Sequence, residues 1–326
     1  MAQGQSGYQA VRVRNRPAER NALVEYLERH EPWSSNALAY VMMEGLRRTR
    51  CRGWTVSSAD GTVVGAVVVY SPCLARWQVY SAMDDDGAAE AIAAVVQRCP
   101  AVHYAGAAEH IVPVLPHIAR LHSARTATFV SSSFPPPPPP NDTPLDERTR
   151  FAVPGDLDGI VAVFETFGIG IERTKWQLRS AIKRTLSRLP VVVFELDGRI
   201  VGAFAFTGIT RHWIVADQVV VHPDARGRGV SWRLSVRAMQ VNLERGLPLC
   251  GIRYPTNPMT IDRYEVAADG WVYAGMYEQS RFRGHARLRE LLFKFQALED
   301  NTNPMFHAFD ELPYGDGYRD PSVTRD

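Results

Sequence analysis

The chain has 326 residues, of which 45% are apolar and 22% charged, which is enough for two domains with sizeable cores and excludes a chain disordered throughout. Its 37 basic and 35 acidic residues leave a formal charge of +2, so no global basic field marks it as a nucleic-acid binder. The four cysteines, Cys51, Cys73, Cys99 and Cys250, form no CxxC pair and argue against both a zinc site and a disulfide framework. Only Lys175, Lys183 and Lys294 are lysines, an Arg-rich usage of the kind GC-rich bacterial genes encode. The first residues hold no apolar signal core, and no apolar run reaches the roughly 18 residues of a spanning helix. The expectation is a reduced, cytoplasmic protein without metal, membrane or nucleic-acid partner.

In chain order, residues 19–27 and 35–48 have helical periodicity, the second with Ser34 or Ser35 as N-cap. A short strand at 54–56, a turn at Asp60-Gly61 and a β-branched run at 62–70 predict a hairpin. Residues 76–83 alternate as a strand, and Asp84-Asp85-Asp86-Gly87 leads into an Ala-rich helix at 88–98. A strand at 102–105, a helix at 108–122 and a strand at 126–130 close this half. Six consecutive prolines, Pro135 to Pro140, then forbid both helix interior and central strand, and predict a semi-rigid polyproline spacer.

Beyond it the order repeats. A strand at 151–153 precedes helices at 154–167 and 174–187, then a hairpin of 191–195 and 200–206 around Asp197-Gly198. A long strand at 213–221, a helix at 230–244, a strand at 249–253, a helix at 259–267 and a strand at 272–277 follow, with one further amphipathic helix at 286–298. The expected fold class is α/β (α+β): two duplicated domains, each a mixed, mostly antiparallel central sheet flanked by helices. The expected boundaries are 8–131, a Pro-rich linker 132–147, 148–283, and a C-terminal helix and tail 284–326.

The chemistry concentrates in one string. Asp217-Gln218-Val219-Val220-Val221-His222-Pro223 ends a β-branched strand, and Arg226-Gly227-Arg228-Gly229-Val230-Ser231 turns into an amphipathic helix. Unpaired amides at a helix start, glycines that admit a phosphate to the backbone, and two arginines make a pyrophosphate cradle. It is neither GxxxxGK[ST] nor GxGxxG, which sets aside P-loop and Rossmann sites. The string resembles the [R/Q]-x-x-G-x-[G/A] signature of the GCN5-related N-acetyltransferases (GNAT), with Ser231 in place of Gly or Ala.

That resemblance spans residues 151–282 and implies acetyl-CoA, or another acyl-CoA, as cofactor. It implies that the backbone of Val219 and Val221 pairs with the pantetheine arm and that the amides from Arg226 to Ser231 take the pyrophosphate. Asn257 falls in the position of the family's cofactor-side Asn. Tyr264 matches the tyrosine that protonates the leaving thiolate, although its run to Gly270-Trp271 is two residues longer than usual. Asp217 matches an acidic position that serves many members as base, and shares strand parity with Val219 and Val221. Glu165 and Glu172 are the alternative bases and acceptor-side walls, with Trp176, Trp213 and His212 as further lining.

At the equivalent point the first half carries Asp84-Asp85-Asp86, which favours a helix start but repels a pyrophosphate. It is therefore read as a degenerate GNAT-like domain that binds no CoA. The whole resembles two-domain members such as the mycothiol-synthase-like proteins, and implies an N-acetyltransferase acting on a small-molecule or peptide amine. Two alternatives stay open: a Fem-type transferase that uses aminoacyl-tRNA, and a non-enzymatic CoA-binding scaffold. The tail helix can dock within the chain or across a homodimer.

Overall fold

A computed structural model describes residues 7–47, 50–71, 77–99, 101–119, 121–131, 145–166, 175–253 and 266–276. They fall into two compact units, one built from the chain up to Phe129 together with residues from Ala267, the other from Val130 to Ile252.

The first unit runs β1 (Gln9–Val13), α1 (Pro17–Arg29), α2 (Ser35–Glu44), β2 (Cys51–Ser57), β3 (Val63–Tyr70), β4 (Trp77–Met83), α3 (Ala89–Arg98), β5 (Ala101–Ala107), a single turn α4 (Ala108–Ile111) and β6 (Leu121–Ser131). Proline in its first turn pre-sets α1, while the Glu19 carboxylate accepts the Arg14 N–H at 2.7 Å. The β2–β3 turn is held by Asp60, which accepts from the Thr62 amide and the Ser58 hydroxyl.

Six of the eight residues of β3 are buried, because helices cover both faces of the sheet. Val67, Val69 and Val79 pack with α3 residues such as Ile92 and Val96, whereas Ala66, Val68 and Tyr70 pack with Leu23, Leu27 and Leu38 from α1 and α2. Each fully buried Leu or Val contributes about 1.5–3 kcal/mol.

The second unit runs β7 (Thr149–Phe151), α5 (Leu157–Thr166), α6 (Lys175–Leu186), β8 (Val191–Leu196), β9 (Arg199–Ile209), β10 (Ile214–Val221), α7 (Val230–Arg245) and β11 (Leu249–Arg253). Its strands lie in the order β11-β10-β9-β8-β7, antiparallel except for the parallel β10–β11 pair. Ile160, Phe164, Leu178 and Ile182 from α5 and α6 cover Val191, Val193, Ala203 and Val220. The last described strand, β12 (Val266–Met276), pairs antiparallel with β5 from Trp271↔Ala107 to Gly275↔His103. The first unit's sheet is thus β1-β2-β3-β4-β5-β12-β6, again mostly antiparallel with a parallel β4–β5 pair. Strand β12 therefore belongs to that unit, although it is encoded within residues 148–283.

Two expectations are corrected and one strand is added. Residues 108–122 are not one helix: Pro113 and Pro116 interrupt the run, leaving α4, a 3-10 turn at Leu115–His117 and the start of β6. The edge strand β1 has no counterpart in the sequence reading. Val266 and Ala267, expected at the end of a helix, begin β12, and the rest of that expected helix lies outside the described residues, as does the one at 286–298. Cys51, Cys99 and Cys250 are buried, as small core residues. Among the described residues no helix is long and apolar enough to cross a membrane, and no group of three or more His, Cys, Asp and Glu is placed to hold a metal ion.

The first unit contains a buried imidazole pair. His30 and His110 meet edge to face at 5.2 Å, with His30 Nε2 3.1 Å from Asp84 and His110 Nδ1 accepting the Met83 N–H at 3.4 Å. Burial lowers the His110 pKa to about 4, with the neighbouring His30 acting in the same direction. The unfolded chain protonates this imidazole near pH 6.5. His110 therefore contributes nothing unfavourable above about pH 6.5, and destabilises the fold progressively as pH falls from there to about 4. Across that window the unfolding free energy should drop by about 3 kcal/mol through this group. Melting temperatures between pH 7.5 and 4.5 check this: His110→Gln should flatten the slope, and an unchanged slope would remove His110 as its source.

Candidate cofactor site and active site

Strand β10 is where the second sheet opens. It pairs with β9 along its length, but with parallel β11 only at Ile214↔Leu249 and Val215↔Cys250. Gly251 permits the last close approach, since a Cβ there would lie 3.2 Å from that of Ala216. From Ala216 onward no β11 residue is paired with β10, so the two strands diverge and leave one backbone edge of β10 for another partner. Val220 is fully buried under α5 and α6, whereas Val219 and Val221 are half-buried.

The register shifts twice at this opening. Val215 pairs with Gly208, Ala216 with Phe206 and Gln218 with Ala205, which leaves Thr207 on β9 and Asp217 on β10 as extra residues. Asp217 is thus a bulge residue at the mouth of the divergence. Simple alternation does not run through a bulge, so the expected shared parity of Asp217 with Val219 and Val221 does not follow from the strand.

The loop after β10 ends at α7. His222 Nδ1 accepts the Asp224 N–H at 3.3 Å, Ala225 is buried, and Arg226 to Gly229 are exposed. Gly227 and Gly229 have φ of 72° and 69°, a region that costs other residues about 1–2 kcal/mol. A Cβ on Gly227 would meet nothing within 4 Å, so the surface there is open. Gly229 is the N-cap of α7, which has no side-chain cap and no acidic residue in its first turn. Its first intrahelical bond runs from Arg233 N–H to Gly229 O at 3.2 Å, so the Val230 and Ser231 amides lie ahead of the ladder. Val230 anchors this end in the core, its Cγ1 2.9 Å from where a Gly202 Cβ would stand. An uncapped helix start with Arg226 and Arg228 beside it is suited to an anion.

The family model described as "Acetyltransferase (GNAT) family" matches residues 164–265, which take in the diverging strands and this loop. That segment is a GNAT acetyltransferase domain. Solved structures share the fold. A GCN5-related N-acetyltransferase from Sphaerobacter thermophilus is 17% identical over 81% of this chain and 94% of its own, with a TM-score of 0.52. A GNAT-family acetyltransferase from Colwellia psychrerythraea is 9% identical over 82% and 99%, with a TM-score of 0.54. A tandem GNAT protein from the clavulanic acid biosynthesis pathway is 12% identical over 82% and 97%, with a TM-score of 0.52. No curated protein matches the chain by sequence. Acyl transfer is the chemistry of the matched family.

Within the GNAT segment the residues expected on the acceptor side are spread over three elements. Glu165, in the last turn of α5, has its carboxylate 3.3 Å from Lys175 Nζ, and Trp176 on the first turn of α6 is 71% exposed. Trp213 is half-buried ahead of β10, in a tight turn where its N–H donates to Thr210 Oγ1 at 2.9 Å and its carbonyl accepts the Thr210 N–H at 2.8 Å. His212 donates its amide to the same hydroxyl. Glu172, Asn257 and Tyr264 lie outside the described residues. The sequence reading missed Arg233 and Asp146, which support the loop from behind. Arg233 shows only as a charge one helical turn past Gly229, and Asp146 as part of the spacer.

The equivalent corner of the first unit is differently furnished. There β4 and β5 stay paired to Tyr80↔Ala105, and the Met83 amide is taken by His110. Asp85 accepts the Gly87 N–H at 2.8 Å and the Tyr8 hydroxyl at 2.5 Å. That bond holds the Asp85 carboxyl below its usual range and raises the Tyr8 phenol. Tyr8 Oη also stands 2.6 Å from where a Gly87 Cβ would be. A carboxylate and an imidazole thus take these two amides, and a phenol fills the space beside Gly87.

Proposed function

We propose that the chain is an acyl-CoA-dependent N-acyltransferase, transferring acetyl from acetyl-CoA to a primary amine by direct attack in a ternary complex. The observation that carries this reading is the pairing of an open β10 edge with an uncapped, glycine-turned helix start at Arg226–Ser231. The site suits the cofactor: the strand edge takes an extended amide-bearing arm, and the exposed amides and arginines take a pyrophosphate. Bound acetyl-CoA supplies a thioester acyl group. Val219 and Val221 hold its arm through their backbone, and Asn257 completes the cofactor side. Asp217 accepts the proton that the acceptor nitrogen loses, directly or through one water. The Tyr264 hydroxyl donates its proton to the departing thiolate, and so balances the proton taken at Asp217. Glu165, Glu172, Trp176 and Trp213 wall the acceptor, a small-molecule or peptide amine.

We read the chain as a cytoplasmic tandem GNAT protein whose first domain is degenerate. The Tyr8–Asp85 and Met83–His110 contacts support that assignment. Calorimetric titration of acetyl-CoA into the whole chain tests both halves of the reading. One site of roughly micromolar affinity, within the range common for such substrates, is expected. Two sites would overturn the degenerate first domain. No binding would overturn the cofactor assignment and turn the search to a macromolecular acyl donor.

A further inference from the structure

We infer that Arg233 is a positioning residue that locks the cofactor loop in its binding shape before any ligand arrives. The inference rests on the CoA reading above for its consequence, and on the loop's own geometry for its cause. Arg233 lies on the first turn of α7 and points back beneath the loop. Its Nη1 donates to the Arg228 carbonyl at 2.6 Å, and its Nε sits 2.8 Å from Asp146 Oδ2. Asp146 is itself fixed: it accepts the Arg148 backbone N–H at 3.0 Å and the Arg148 guanidinium at 2.7 and 2.9 Å, while its carbonyl takes the Thr149 amide at 2.8 Å. The Arg148 bond first of all holds the Asp146 carboxyl below its usual range, so it stays ionised. Its side chain is only 12% exposed, which shields the pair from solvent screening.

This chain of contacts sets the peptide between Arg228 and Gly229. Arg233 holds the Arg228 carbonyl toward the helix, and a trans peptide aims the Gly229 N–H the opposite way. The Gly229 turn favours glycine through its φ of 69°, and a Cβ there would also sit 2.8 Å from Arg233 Nη1. The guanidinium therefore accounts for the orientation of the amide, while the left-handed backbone accounts for the glycine. The rival role, a direct phosphate ligand, would draw on the N–H groups of Arg233 that the Arg228 carbonyl and the Asp146 carboxylate leave over.

The two roles predict opposite signs for Asp146→Asn. A positioning Arg233 loses its anchor in that variant, and the Kd for CoA should rise about tenfold, as it should in Arg233→Met. A phosphate-binding Arg233 would be freed by it, and CoA would bind more tightly. Hydrogen exchange of the ligand-free protein supplies an independent reading. The hydrogen-bonded amides that flank the loop, those of residues 226 and 233, should exchange faster in both variants, while the C-terminal turn of α7 keeps its protection and the melting temperature moves by only a few degrees. Arg233→Lys, which keeps one donor, should recover part of the protection. Tighter CoA binding by Asp146→Asn, or unchanged exchange in Arg233→Met, overturns the inference. A wild-type chain that binds no CoA overturns the cofactor reading instead, and the exchange comparison alone then decides the role of Arg233.

Discussion

Gly229→Glu is expected to abolish acetyl-CoA binding, raising the Kd at least 100-fold while the protein still folds. Three effects act in the same direction. The residue must keep φ near 69°, where a side chain costs about 1–2 kcal/mol. Its Cβ would meet Arg233 Nη1 at 2.8 Å, which forces Arg233 off the Arg228 carbonyl. A carboxylate would also sit at the uncapped start of α7, where it satisfies the amides and repels a pyrophosphate. Gly229→Ala separates these contributions, because it keeps the strain and the clash but adds no charge; it should weaken binding about tenfold. Calorimetry on both variants, with a melting curve to confirm folding, reads the result. Unchanged affinity in Gly229→Glu would sink the cofactor assignment.

The second large effect belongs to Tyr264. Tyr264→Phe should leave the acetyl-CoA Kd within twofold and lower kcat about 100-fold, the low end of what a positioned acid contributes. The loss should show in kcat and kcat/KM alike, since protonation of the leaving thiolate is felt only in the transition state. Thiol release with an acceptor found by amine screening measures it. A variant at full rate would leave the thiolate to solvent for its proton and remove Tyr264 from the mechanism.

How much of this was legible in the sequence depends on what each residue reports. The loop's turn was legible, because Gly227 and Gly229 mark left-handed backbone and Val230 marks the first buried turn of α7, all within a few positions. The hairpin β8–β9 was legible for the same reason, in its Asp197-Gly198 turn with both residues left-handed. Features that depend on partners distant in sequence were not. The bulge at Asp217 arises from the register between two strands, and each strand alone shows only alternation. Pro113 and Pro116 carry the signal against a helix at 108–122. The Asp146–Arg233 contact joins the end of a proline-rich spacer to the first turn of a helix, and nothing local announces it.

Strand β12 has a consequence for how the protein is made. Its place is between β5 and β6, yet it is translated long after both. At about 5–20 residues per second, the ribosome leaves the edge of β5 waiting on the order of ten seconds for its neighbour. During that interval the nascent chain displays an unsatisfied strand edge, which is a template for mispairing and a natural target for a chaperone. Release of a chain stopped at the proline tract would make that interval permanent.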